Sequence, residues 1–220
     1  MSRNVTPYTT CGTAADDSTV GTQTWASPNT IAGNYNSIST ATTCTGVVNT
    51  TKTTHYLKCT NFGFKLPADA VIQGIQVRIG KYKGTTGPTV KDANVKLVTN
   101  GSIAASTDKA DTVTAYALQS GGAPQYQGTQ PYGGLGDLWG LTLVASDINN
   151  SGFGAAIACT LTSTSDATAV VDIQTCQIIV YYDSQRLGKG RTEERYKPAP
   201  FKPGDGTFIS NLRGRKIIRS

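Results

Sequence analysis

The residue types that most often perform chemistry are scarce in this chain of 220 residues. It contains one histidine, His55, which excludes a metal site built on two histidines and leaves one candidate base for a Ser/His/Asp triad. We interpret His55, at the start of a predicted strand, as an ordinary imidazole at the surface or at the edge of the core. Neither a phosphate-binding glycine loop nor an HExxH motif occurs. These residue types favour a protein that is not an enzyme.

Close pairs of carboxylates, which general acid–base chemistry often uses, occur at two places in the first 182 residues: Asp16-Asp17 and Asp108/Asp111. We expect Asp108 and Asp111, which flank a lysine in a predicted loop, to be solvated. A calcium site needs several converging oxygen atoms, for which Asp16, Asp17 and Asp147 are the candidates. A sequence cannot show such convergence. We therefore predict no catalytic residue, no bound metal and no cofactor.

Five cysteines are scattered along the chain without a CxxC pair: Cys11, Cys44, Cys59, Cys159 and Cys176. An odd number at these spacings argues against both a disulfide framework and a zinc site. We expect single buried thiols that pack as small hydrophobic groups. A Cys59–Cys159 or Cys159–Cys176 bridge between neighbouring strands stays open as an alternative.

The net charge of +6 is confined to the C-terminal end of the chain. Residues 1–182 contain ten Lys or Arg and ten Asp or Glu, whereas residues 183–220 contain ten basic and four acidic residues. We therefore predict two parts, a neutral body over residues 1–182 and a basic, extended arm over residues 183–220. The N-terminus lacks an apolar stretch, so we expect no secretory signal and synthesis in a reducing cytosol.

The predicted arm has a composition that suits docking on another protein. Three prolines between Lys197 and Gly204 remove amide donors and fix φ, so this part cannot form a helix or a central strand. Cations alternate with apolar side chains and do not form a block, which favours a protein surface over nucleic acid. The predicted anchoring residues are Arg186, Lys189, Arg191, Arg195, Lys197, Phe201, Lys202, Phe208, Ile209, Leu212, Arg213, Arg215, Lys216, Ile217 and Arg219.

Hydrophobic periodicity in the body predicts strands. Apolar and polar residues alternate from Val71 to Gly80 and again from Val90 to Val98, where Lys91, Asp92, Asn94 and Lys96 are expected to face outward. Asn100-Gly101 follows as a strong hairpin signal. Further strands are predicted at residues 55–65, 139–144, 152–162 and 168–182, with a short candidate at 113–118 inside a loop-rich region, 102–136.

The pattern predicts an all-β fold. Only 15% of the residues are charged, threonine is abundant, and threonine favours strands. Asp147-Ile148-Asn149 predicts a turn or a single helical turn capped by Asp147. No segment approaches the 18 or so apolar residues that a membrane-spanning helix needs. We predict a β-sandwich or jelly roll of about eight strands with an extended C-terminal arm.

Several short segments occur in an order that resembles a known family. They are NFGFKLPADAVIQGIQV at residues 61–77, Tyr132-Gly133-Gly134, Gly136 to Gly140, Asp147-Ile148-Asn149 with Phe153-Gly154, and Val171-Asp172 with Ile179 to Tyr182. Over roughly residues 25–182 they resemble tailed-bacteriophage virion structural proteins with a β-sandwich domain, found among head-decoration, tail and fibre components. The resemblance implies a non-enzymatic structural role in the virion, after synthesis in the host cytoplasm.

The resemblance and the arm together lead us to expect a capsid decoration (cement) protein, a dimer or trimer whose arm binds the major capsid protein or other virion proteins. Nucleic acid and membrane are not expected partners. One alternative is a structural protein of the tail, neck or fibre base. The other is a carbohydrate-binding module for host attachment, in which Trp25, Tyr132 or Trp139 stacks on sugars. For Trp139 we favour a plug at the end of the sandwich.

Overall fold

The computed structural model describes residues 2–34, 41–46, 48–119 and 129–184, all of which belong to one unit, Met1–Gln185. These ranges contain twelve strands, a 3-10 helix (Pro28–Ile31) and a short α-helix, α1 (Ala145–Asn149). The strands are β1 (Ser2–Val5), β2 (Thr9–Thr10), β3 (Thr13–Asp17), β4 (Thr42–Thr45), β5 (Thr50–Thr53), β6 (Tyr56–Thr60), β7 (Val71–Lys83), β8 (Thr89–Thr99), β9 (Ser102–Ile103), β10 (Thr129–Leu135), β11 (Gly154–Ser163) and β12 (Val170–Ser184).

The strands form two antiparallel sheets. Sheet A has the order β1-β12-β7-β10, with β2 and β4 also paired to β12. Sheet B has the order β3-β6-β11-β8-β9, with β5 also paired to β11. One of the sheets is curled into a half-barrel, and the apolar side chains of both sheets share one core. The predicted all-β sandwich is confirmed. There are more strands than the eight expected, because several short strands of two to five residues pair alongside the long strands.

The strands with clear alternation lie where the sequence predicts them. Ile75, Val77 and Ile79 of β7 are at most 1% exposed, which places the predicted apolar face in the core. The Asn100-Gly101 turn joins β8 to β9, and both residues have positive φ, 51° and 79°, as a two-residue hairpin turn requires. Continuous burial of β12 from Val171 to Val180 shows that both faces of this central strand are covered.

Two predicted strands are wrong. Residues 139–144 begin with a turn at Trp139-Gly140, where both φ angles are positive (57° and 71°), and contain one isolated bridge, at Val144. Residues 113–118 form bends and coil with a single bridge at Leu118. The region read as loop instead contains β10, which pairs with β7 and with no other strand of the described ranges, and so lies at an edge of sheet A. An edge strand tolerates Pro131, because proline need not donate to a ladder there.

The turn predicted at Asp147 is a short helix that begins two residues earlier, at Ala145. Asp147 lies in the first helical turn, and its Oδ2 accepts the backbone N–H of Val144 at 3.0 Å. The carboxylate therefore satisfies a free amide at the helix start, although from inside the helix. In the described ranges no helix has the length and apolar character that crossing a bilayer demands.

We expect Gly154→Ala to destabilise the fold. An added Cβ at this first residue of β11 would lie 1.8 Å from the carbonyl oxygen of Cys59 in β6, so the two strands would have to separate. Overpacking of this kind costs about 1–3 kcal/mol of unfolding free energy. Urea denaturation followed by circular dichroism measures the loss.

The matched control is Gly134→Ala in β10, where the nearest atom to an added Cβ is Gln76 Nε2 at 3.8 Å. We expect its unfolding free energy to stay within about 0.5 kcal/mol of wild type. Equal losses for both variants would contradict the close approach of β6 to β11.

Candidate functional site

A cluster of polar side chains lies buried between the two sheets. Lys81 of β7 and Tyr132 of β10 come from sheet A, Asp92 of β8 and Cys159 of β11 from sheet B, and Tyr116 from the segment after β9. Each of the five residues is less than a tenth exposed. We call this group the inter-sheet cluster.

The carboxylate of Asp92 is the centre of the inter-sheet cluster. Its Oδ1 accepts Lys81 Nζ at 2.6 Å and also the hydroxyl of Tyr116. Its Oδ2 accepts the hydroxyl of Tyr132 at 2.8 Å and the backbone N–H of Asp111 at 2.9 Å. Four donors thus surround the carboxylate, which is what a buried charge requires to be tolerated.

Lys81 is enclosed as completely as its partner. Besides Asp92, its Nζ donates to the hydroxyl oxygen of Tyr132 at 2.5 Å. The ammonium lies 4.4 Å from the centroid of the Tyr116 ring and 5.1 Å from that of Tyr132, so both rings add cation–π attraction. The lysine side chain is 8% exposed and that of Asp92 is 0% exposed. The ion pair is therefore shielded from water.

Burial determines the protonation of the groups around the ion pair. Burial, the neighbouring Cys159 and the Asp92 carboxylate, and the hydrogen bond to Asp92 raise the pKa of Tyr116 well above its ordinary value. Burial and Asp92 likewise raise the pKa of Tyr132. Burial raises the pKa of Cys159 to about 12. Both tyrosines therefore stay protonated, and both act as hydrogen-bond donors to the carboxylate.

A strand irregularity turns Asp92 inward. Val90 and Asp92 are buried on one parity of β8, and Val95 and Leu97 on the other. The pairing of β8 with β11 shifts register between Ala158 and Cys159, because one extra residue of β8 lies between the partners of these two. The expectation that Asp92 faces outward is therefore wrong. Lys81, by contrast, has the same parity as the apolar residues of β7. This alternation was the sequence signal from which its burial could have been predicted.

The predicted acid pairs are engaged in local structure. Asp16 Oδ2 pairs with His55 Nδ1 at 2.7 Å, and its Oδ1 accepts the backbone N–H of Trp25 at 2.8 Å. Asp17 pairs with Lys58 at 2.7 Å, and Lys58 lowers the pKa of its carboxyl group. Across the described ranges, no three His, Cys, Asp or Glu side chains converge to hold a metal ion.

The carboxylates of Asp108 and Asp111 bind backbone amides. Asp108 Oδ1 accepts the N–H of Val95 at 2.9 Å, which attaches the following segment to β8. Asp111 Oδ1 accepts the N–H groups of Val113 and Thr114, and these bonds lower the pKa of Asp111 to about 2. Asp108 is exposed, as expected of a solvated carboxylate, and both acids also organise the segment that carries Tyr116.

The three aromatic residues proposed to contact glycans are buried. Trp25 is 4%, Tyr132 3% and Trp139 0% exposed, so none presents a ring face to a sugar. Trp139 donates its indole N–H to the carbonyl of Ile75 at 3.0 Å, and Trp25 donates to that of His55 at 2.9 Å. We correct the glycan-contact prediction accordingly, because these rings fill the core. Trp139 takes the plug position that the sequence favoured.

The predicted anchoring residues of the arm, Arg186 to Arg219, lie outside the described residues. The last described strand, β12, continues through Asp183 and Ser184, two residues past the predicted start of the arm, and pairs there with β1. The assignment of the arm to partner binding stays a prediction.

All five cysteines are free and buried, as single packed thiols should be. Neither predicted alternative bridge forms. The thiols of Cys11 and Cys176 lie against that of Cys59, and their hydrogen bonds to it, together with burial, raise the pKa of Cys59 well above its ordinary value. Burial raises the pKa of Cys44 to about 12. The thiolate forms of Cys44 and Cys59 are therefore suppressed.

An open cleft of about 580 Å³ lies beside Asp92. Its other lining residues are Thr89, Lys91 and Ala93 of β8, Thr160 and Thr162 of β11, and Thr112. Four of the seven lining residues are threonines and none is aromatic, whereas small-molecule sites are lined mainly by hydrophobic and aromatic side chains. The cleft borders the inter-sheet cluster at Asp92.

The fold and the cluster define an antiparallel β-sandwich whose polar side chains bind one another in its interior. Comparison of the chain with protein-family models, with curated proteins and with solved structures found no significant match.

We expect Lys81→Met to destabilise the protein strongly. The variant keeps the apolar length of the side chain but leaves the Asp92 carboxylate buried without its cation. Loss of one partner from a buried pair costs about 3–5 kcal/mol of unfolding free energy. Guanidinium denaturation compared with wild type measures the loss.

Lys58→Met is the control, because Lys58 pairs with Asp17 at 2.7 Å at a partly exposed site. Such pairs contribute about 0.2–1 kcal/mol. A similar loss in both variants would contradict the central role of the inter-sheet cluster.

We also expect the native protein to resist thiol reagents at pH 8. The raised pKa of Cys44 and Cys159, each about 12, keeps the reactive thiolate scarce, and burial blocks access. Alkylation followed by mass measurement should label none of the five cysteines in the folded chain and all five in denaturant. Rapid labelling of the folded chain would contradict the burial of these thiols.

Proposed function

We propose that this chain is a non-enzymatic structural protein of a bacteriophage virion, and specifically a capsid decoration protein anchored by its basic C-terminal arm. The observation that carries the proposal is the inter-sheet cluster. Its lysine, carboxylate and tyrosines, which in an open cleft would suit catalysis, bind one another across the sandwich. This arrangement supports a role in holding the body together.

The resemblance of residues 25–182 to virion proteins supports the choice of assembly. The segments that carry the resemblance occupy structural positions. Where β7 pairs with β10, a Cβ added at Gly74 would lie 2.2 Å from the carbonyl oxygen of Gly134, and Trp139 is fully buried in the core. Asn149, at the end of α1, binds the backbone of Leu66 through both its amide nitrogen and its amide oxygen. These residues connect segments that are distant in the sequence, as expected for a motif that stabilises the fold of the body.

The distribution of charge supports anchoring by the arm. A neutral body has little electrostatic attraction for an acidic partner, whereas the last 38 residues carry the whole +6. An extended segment spans up to about 3.3 Å per residue, so the arm is long enough to cross a neighbouring subunit. Repetition of one weak contact over a symmetric shell would yield strong overall attachment.

Location in the tail, neck or fibre base is the second structural candidate, since an arm can dock into a connector as well as onto a shell. A sugar-binding module is no longer supported by Trp25, Tyr132 and Trp139, because these three rings are buried.

We expect purified particles of the phage that encodes the chain to contain it in proportion to the major capsid protein. Quantitative mass spectrometry of intact particles measures this ratio. A small fixed number per particle would assign the chain to the tail, neck or fibre base. Absence from particles would overturn the proposal.

The role of the arm is tested with a charge variant, Arg215→Gln with Lys216→Gln, added to particles that lack the protein. We expect weaker attachment and a smaller dependence on salt, since two cations are lost. Lys52→Gln with Lys65→Gln removes the same charge from exposed positions of the body and should bind like wild type. Equal weakening by both variants would argue against anchoring by the arm.

A further inference from the structure

The inter-sheet cluster brings together an amine and a carboxyl group that can react. Lys81 Nζ lies 2.6 Å from Asp92 Oδ1, on strands that belong to different sheets. Side chains held in such contact react as if at very high concentration, with effective molarities of about 10⁵–10⁸ M for well-oriented pairs. The two groups are the components of an amide bond.

Condensation requires the proton on Lys81 to move first. Both side chains are shielded from bulk water, and the hydroxyl oxygen of Tyr132 lies 2.5 Å from Lys81 Nζ, so an acceptor for that proton is in place. The neutral amine, once formed, is the nucleophile that attacks a carboxyl carbon.

The two tyrosines occupy the positions that condensation requires. The hydroxyl of Tyr132 contacts both reacting groups, since its oxygen accepts Lys81 Nζ at 2.5 Å and its proton is donated to Asp92 Oδ2 at 2.8 Å. It can therefore relay a proton from the nitrogen to the departing oxygen. The hydroxyl of Tyr116 donates to Oδ1, where negative charge develops during attack.

We propose that Lys81 and Asp92 form an intramolecular amide cross-link between the two sheets. Lys81 Nζ attacks Cγ of Asp92, so that a C–N bond forms and the Cγ–Oδ2 bond breaks. Two of the three ammonium protons reach Oδ2 through Tyr132, and Oδ2 leaves as water. The third proton stays on the amide nitrogen. The step needs no oxidant or cofactor, and the water leaves by the cleft beside Asp92.

The cross-link would make separation of sheet A from sheet B require cleavage of a covalent bond. It does not depend on the proposed virion role, because the mass of the purified chain decides it wherever the protein functions. A cross-linked chain absent from particles would leave this inference standing while the proposed function fails. An unlinked chain present in particles would do the reverse.

The test is the intact mass of the full chain, purified, reduced and denatured. We expect a mass lower than that of the sequence by one water molecule. Tandem mass spectrometry of a tryptic digest should find a branched peptide that joins Lys81 to Asp92, with no cleavage after Lys81. A mass equal to that of the sequence, with no water lost, would overturn the proposal. A water loss mapped elsewhere, such as a succinimide at Asp205-Gly206, would overturn it equally.

Two variants refine the result. Lys81→Arg keeps the positive charge but lacks an amine, so the chain should have its full mass. Lys83→Arg, on the same strand but outside the inter-sheet cluster, should still be one water lighter. Lys81→Arg cannot form the amide whether or not it folds, and water loss in Lys83→Arg shows that this variant has folded. Water loss in Lys81→Arg would overturn the proposal.

Tyr132→Phe tests the relay. The variant keeps the aromatic ring but removes the hydroxyl that contacts both groups, so the linked fraction of freshly made chain, followed over time after cell-free synthesis, should rise more slowly than in wild type. Tyr56→Phe, a buried tyrosine in a separate apolar cluster, should behave like wild type. Equal rates of cross-link formation in all three proteins would show that the hydroxyl of Tyr132 takes no part in the reaction.

Discussion

The carboxylate of Asp92 imposes the strongest constraint on this fold. A charge enclosed between two sheets is stable only when its oxygens are fully bonded, and here four donors bind them. The donors come from β7, from β10 and from the segment after β9. Each of these parts must therefore lie where it does for the others to be satisfied. An apolar contact would tolerate a shift along the strand, but this cluster does not.

The same rule applies at the N-terminal end of the sandwich. Residues 1–34 have few apolar anchors, and polar side chains hold them in place. Asp16 binds both His55 and the backbone of Trp25, and the Asn34 amide donates to the carbonyl of Gln174 at 2.9 Å. The hydroxyl of Thr175 in β12 also donates to the carbonyl of Asn34 at 2.8 Å, so hydrogen bonds attach this segment to the central strand. A Thr-rich, weakly apolar sequence can thus be held firmly through hydrogen bonds.

Strands were predictable from the sequence where one face of the strand is buried and the other is exposed to solvent. This condition holds along most of β7 and β8 and produces the alternation from which both strands were predicted. It fails at β10, an edge strand containing Pro131, Gly133 and Gly134, where local residue preferences oppose a strand. Pairing with β7 overrides them. Trp139 was predicted to be a plug, although the predicted strand around it is a turn.

The inter-sheet cluster was not predictable, because its members are far apart in the chain and no sequence motif joins them. Asp92 has the parity of the polar Asn94 and Lys96, as a solvent-facing acid would, and an extra residue in β8 turns it toward the core. Such an irregularity depends on pairing with β11 and leaves no local trace. For Lys81 alone the sequence indicated burial, since this residue continues the apolar face of β7.

The amino-acid sequence by itself determined the fold class, the neutral body, the basic C-terminal segment and the burial of the cysteines. These properties follow from composition and from periodicity along single strands, which the chain carries locally. Only the tertiary structure decided which polar groups meet inside the sandwich and which aromatic rings face the core. Those outcomes depend on strand register and on the approach of one sheet to the other, and both are set by contacts between residues distant in sequence.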